Sequence, residues 1–135
     1  MARQAKAYLV LSLSGERGTN MPSGLSQLPI VLIDERGGYK FIVAVVNDGE
    51  TSKMVVRADA SCEFHRDILR KLRFEAPGIN AQCVGGGRIN IDPIGKVIDI
   101  WSSSGDFGIE PNRAETVRLL SEAFPGFDVR QKNSR

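Results

Sequence analysis

YKFIVAVVN, residues 39–47, is the most strand-like stretch of the chain. Its β-branched and aromatic side chains and its unbroken apolar run, FIVAVV, predict a long buried strand. The other elements arrange around it. Before it lies PIVLI (29–33), a second strand, closed by the turn residues DERGG. After it, Asp48 and Gly49 turn the chain into SKMVVRA, a third.

The pattern then changes period. Phe64, Ile68 and Leu72 recur every four residues and form one apolar helical stripe, which Asp59 or Ser61 is placed to cap and Pro77-Gly78 to stop. His65, the only histidine, falls about 60° round from the middle of that stripe, on its border. NAQCVGGGRINI reads as a strand interrupted by three glycines, and KVIDIWSS as another, joined by the turn DPIG. The loop SSGDFGIEP leads to a second helix. Asn112 with Glu115 three residues on makes a capping-box start, Val117, Leu120 and Phe124 a buried face, and Pro125-Gly126 an end. FDVR (127–130) adds a last strand.

Strands, helix, strands, helix, strand is the order of an α/β protein: a single domain with a mixed sheet of about six strands and a helix packed on each face. The domain spans 28–131. Residues 1–27 form an extension, partly flexible, whose segment GERGTNMPSGLSQ is rich in loop formers; 132–135 are a tail.

Composition narrows the function. At 135 residues the chain builds one core, not two. Its apolar runs are strand-length, too short to cross a bilayer, so no membrane partner is expected. The basic and small residues of MARQAKAYLVLSLSGERG are faintly like a transit peptide or short signal sequence, a minor reading that only a short apolar patch supports. A net charge of +2 with 7% aromatics lacks the basic stripe and stacking rings of a nucleic-acid binder. Two cysteines and one histidine assemble neither a disulfide framework nor a zinc set, and no cofactor is expected; reduced thiols are the default of a cytoplasmic protein, and a monomer that of a domain this size.

No phosphate-loop, HExxH or GxSxG motif is present. Cys83 is followed by four residues and then Arg88, one short of the loop of cysteine-dependent phosphatases. The glycines themselves carry two readings. They open the backbone to a ligand that Arg88 could grip, or they form a β-bulge against a neighbouring element, with Arg88 in a structural ion pair. His65 also divides. It is a helix-end side chain, or a neutral imidazole beside unpaired amides that favour phosphate and disfavour imidazolium.

Taken together, YKFIVAVV, FHRDI, CVGGGRI and SSGDFG followed by a helix and PGFDV resemble the Janus/Ocnus family of protein phosphohistidine phosphatases, in order and spacing, from Pro29 to Arg130. That resemblance implies a metal-independent enzyme cleaving the P–N bond of phosphohistidine-containing proteins. It implies His65 as nucleophile or general base, and backbone amides at Phe64, His65 and Arg66 around the phosphate. It adds Ser104 from the late loop, with Lys40, Arg57 and Arg88 as supporting cations. Asp106 departs from the small apolar residue usual there, and a carboxylate facing phosphate would oppose it. The alternative is therefore a catalytically weak or inactive module of the same fold that binds phosphorylated proteins.

Overall fold

The computed structural model describes residues 6–9 and 24–132. Its elements are β1 (Lys6–Leu9), α1 (Gly24–Gln27), β2 (Val31–Asp34), β3 (Gly37–Asn47), β4 (Ser52–Ala58), α2 (His65–Glu75), β5 (Asn80–Asp92), β6 (Val97–Trp101), α3 (Arg113–Ala123) and β7 (Asp128–Gln131). The strands form one mixed sheet in the order β1-β2-β4-β3-β5-β6-β7. The pairs β2–β4 and β6–β7 are parallel and the rest antiparallel.

The six expected strands are all present, and β1 adds a seventh at the edge beside β2. It comes from the segment read as an extension. That segment also contributes α1, whose Leu25 is buried against the α2 side of the sheet. The remainder of the extension, 1–5 and 10–23, and the tail residues 133–135 lie outside the described residues. No helix among the described residues is long and apolar enough to cross a membrane.

β3 is central because it is apolar on both sides. Phe41 and Val43 join Val56, Ile89, Ile91, Leu119 and Leu120 in the core under α3. Ile42, Ala44 and Val46 join Val55, Ile68, Leu69 and Leu72 in the core under α2. Alternation along one strand thus feeds two cores, one per face.

β5 runs unbroken through its glycines but carries a bulge there. Val43 pairs with Gly85 and Ala44 with Cys83, so Val84 has no partner on β3. One extra residue reverses which side chains face which side. Before it, Ala81 and Cys83 face α2; beyond it, Ile89 and Ile91 face α3 and Arg88 faces α2. Arg88 consequently lies directly beside Lys40 of β3, on the same face of the sheet.

α2 begins with Phe64 as N-cap, and the cap differs from expectation. The carboxylate of Asp67 accepts the Phe64 N–H at 3.2 Å, closing the helix start from within. Asp59 instead accepts from Ser61 and from Lys71 Nζ. At α3 the expected cap is found: the Asn112 side chain accepts the Glu115 N–H.

Candidate active site

The bulge, the start of α2 and the loop after β6 meet in an open cleft of about 410 Å³, lined by Lys40, Phe64, His65, Arg66, Arg88, Ser103, Gly105 and Asp106. His65 forms its floor and is only 5% exposed. It lies deeper than a border position predicts, because β5 closes over the ring: Nε2 is 3.0 Å from the carbonyl oxygen of Gly87. A carbonyl only accepts, so Nε2 carries the hydrogen and Nδ1 the lone pair. Burial holds His65 below its ordinary value of 6.5, and Lys40 and Arg88 push the same way, against the Gly87 carbonyl and Asp106. The ring is therefore neutral at pH 7, with Nδ1 basic.

The amides of His65 and Arg66 open α2 and have no carbonyl a turn earlier to meet. The Phe64 amide, grouped with them by resemblance, is taken by Asp67. Phe64 places its half-exposed ring at the rim, with the Arg66 guanidinium 4.6 Å over it. Lys40 and Arg88 line the cleft side by side and have no salt-bridge partner among the described residues. Both readings of the glycines thus contain a correct half: the bulge exists, and Arg88 faces the cleft rather than a structural carboxylate.

The glycines serve the late loop. A Cβ on Gly85 would lie 2.1 Å from the amide nitrogen of Glu110, and one on Gly87 2.4 Å from the Trp101 carbonyl oxygen. Without side chains there, the loop settles onto β5, and the Gly86 N–H donates to the Gly108 carbonyl. Ser104 is buried within this loop. Its Oγ accepts the amides of Asp106 and Phe107, and its neighbours Ser103 and Gly105, not its own side chain, line the cleft. Asp106 is at the mouth, with Oδ2 3.9 Å from Arg66 Nη1.

One predicted participant, Arg57, does not reach the cleft, and neither does Cys83, which its short loop had already set aside. Arg57 is buried and holds Glu75 of α2 bidentately, with its remaining donors on the carbonyls of Pro29, Ile30 and Val56. Cys83 faces the α2 core, where burial pushes its thiol up to about 11, leaving no thiolate at neutral pH.

One pair escaped the sequence reading. Arg113 and Glu110 form a buried bidentate ion pair. Arg113 also donates to the carbonyls of Ser102 and Gly86, and Thr116 Oγ1 donates to Glu110. This network ties both ends of the late loop to β5. Its sequence signal, opposite charges three apart before α3, is also that of an ordinary surface pair.

The Janus/Ocnus family model matches residues 25–128. Sex-regulated protein janus-A of Drosophila pseudoobscura pseudoobscura is 34% identical over 113 residues, covering 78% of this chain and 75% of that protein. The Drosophila melanogaster janus-A is 34% identical over 108 residues, covering 78% and 79%. A 14 kDa phosphohistidine phosphatase of Sus scrofa is 30% identical over 115 residues, covering 78% of this chain and 90% of its own. With the family model spanning most of the chain, and relatives at 30% identity or more each covering 78% of it, the protein belongs to the Janus/Ocnus family.

Proposed function

We propose that this protein is a metal-independent phosphatase that hydrolyses the P–N bond of phosphohistidine in proteins. The observation that carries the reading is the state of His65. A buried, neutral imidazole has its Nε2–H committed to Gly87 and a lone pair on Nδ1, in a cleft whose two cations, Lys40 and Arg88, have no salt-bridge partner among the described residues. The likeness to the pig phosphohistidine phosphatase supports the substrate class.

Lys40, Arg88 and the amides of His65 and Arg66 hold the phosphoryl oxygens and stabilise charge as it develops. Ser104 contributes by folding the loop that closes the cleft. Nδ1 of His65 either attacks phosphorus, its bond forming as the substrate P–N bond breaks, or takes a proton from the water that attacks. The P–N bond of a phosphoimidazole is labile once the other ring nitrogen is protonated, so the chemistry asks little beyond positioning and electrostatics. The cleft is built from one chain, and a monomer suffices.

The test is phosphate release from a phosphohistidine peptide, with chelator present, by wild type and His65→Ala. Release that survives chelation and is lost in the folded variant supports the reading. Asp106 in the cleft favours a second one, a module that binds phosphoproteins without turnover. Phosphate-induced shifts of the His65 resonances in a protein that releases no phosphate would establish that instead.

A further inference from the structure

Among the described residues Asp106 is the only carboxylate lining the cleft, where it opposes a phosphoryl dianion. We propose that it recognises the other half of the substrate: a cationic leaving group, the imidazolium of a phosphohistidine protonated on the nitrogen that does not carry phosphorus. The inference rests on the phosphatase reading and adds to it the residue that selects the form of the substrate whose leaving ring is cationic.

Geometry places the carboxylate where that ring must go. Phosphoryl transfer runs in line, with attacking and leaving atoms on opposite sides of phosphorus. His65 attacks, or activates water, from the floor at 5% exposure. The leaving ring then points to the mouth, where the Asp106 side chain is 41% exposed. The Asp106 amide, donating to Ser104 Oγ, fixes the residue there.

The charged groups around Asp106 leave it available. Arg66 of α2 is its nearest cation, but at 3.9 Å with both side chains about half exposed the pair is weak. Arg66 is also held over the Phe64 ring. Lys40 of β3 and Arg88 of β5 line the same cleft, and a bound phosphoryl group neutralises them first. His65 of α2 is uncharged.

In the step itself a bond forms to phosphorus from His65 Nδ1, or from water, as the P–N bond breaks. The bonding pair stays on the leaving nitrogen. A ring already protonated on its other nitrogen departs as neutral imidazole; an unprotonated ring would have to leave as an anion. Imidazole rings titrate near neutrality, so a carboxylate beside one raises the protonated share of bound substrate. The benefit is largest above neutral pH.

The experiment compares wild type, Asp106→Asn and Asp106→Glu by kcat/KM on a phosphohistidine peptide across pH, and by competitive inhibition with inorganic phosphate, an anion with no leaving group. In Asp106→Asn the alkaline limb moves about one pH unit toward acid. That is about a tenfold loss on the alkaline side, with little change on the acid side. Inorganic phosphate meanwhile binds more tightly, and Asp106→Glu keeps the alkaline limb. An unmoved limb, or faster turnover of the peptide by Asp106→Asn at every pH, would falsify the assignment. If wild type releases no phosphate at any pH, the phosphatase reading fails and this one with it, a result distinct from the previous two.

Discussion

Since His65 is the only histidine, its imidazole nitrogens and ring protons can be followed by NMR without overlap. Nitrogen shifts should show Nε2 as the protonated, pyrrole-like nitrogen and Nδ1 as the pyridine-like one, as the Gly87 contact requires. The ring-proton titration should have its midpoint below 6.5. The sign carries over to stability: a histidine whose folded value is depressed stabilises fully above 6.5, and that contribution is lost as pH falls from 6.5 toward the folded value. A midpoint above 6.5 would mean that Asp106 and Gly87 outweigh burial. Lys40→Ala and Arg88→Ala each remove a charge-assisted contact of about 1.5–3 kcal/mol. Each should therefore lower kcat/KM for a phosphohistidine peptide roughly 10- to 100-fold with the fold intact. His65 was legible as a candidate because a helix start and FHRDI mark it. Its tautomer was not, because the carbonyl that sets it comes from Gly87, 22 residues later.

The late loop, residues 102–112, depends on two features that hold it from opposite sides. Removing Arg113 strands the Glu110 carboxylate among buried atoms, and breaking a buried pair from one side costs about 3–5 kcal/mol. Urea unfolding of Arg113→Ala should show a loss of that size; a loss under about 1 kcal/mol would mean that water reaches Glu110. Gly86→Ala places a Cβ 2.2 Å from the Phe41 carbonyl oxygen, on backbone that cannot swing away. We expect its midpoint in urea to fall markedly, with amide exchange faster on both β3 and β5. Sequence patterns revealed this region unevenly. Three glycines announce a close approach, and Asn112 with Glu115 announces a helix start. Glu110 and Arg113 announce nothing, since their burial is decided by the loop's path. Likewise Asp59, Ser61 and Asp67 are all chemically able to cap α2, and only the chain's approach angle selects Asp67. Arg57 follows the same rule: it shares the α2 face of the sheet with Lys40 and Arg88, but lies against Glu75, at the opposite end of α2 from His65.

At the scale of the molecule, two cores share one sheet, and α2 belongs to both stability and site. Leu72 is 1% exposed in the α2 core. Truncation to Ala should cost about 2–5 kcal/mol, measurable by urea unfolding, and should loosen the helix start that presents His65. A net charge of only +2 conceals a local imbalance, because Lys40, Arg66 and Arg88 converge on one cleft with a single carboxylate among the described residues. The KM for a phosphorylated peptide should therefore rise with added salt as the field is screened within about 10 Å. A KM independent of salt would mean that amides, not cations, provide the affinity. The fold class and the order of the strands were readable because alternation and turn residues are local signals. The face on which Arg88 emerges was not, because it follows from the unpaired Val84. That unpaired residue makes chain length a constraint of its own. Deleting one residue between Cys83 and Arg88 would send the guanidinium beneath α3 and turn Ile89 and Ile91 out of their core toward the cleft, two failures from one missing residue. In this chain, then, the length of the segment is as much a determinant of the site as any side chain it carries.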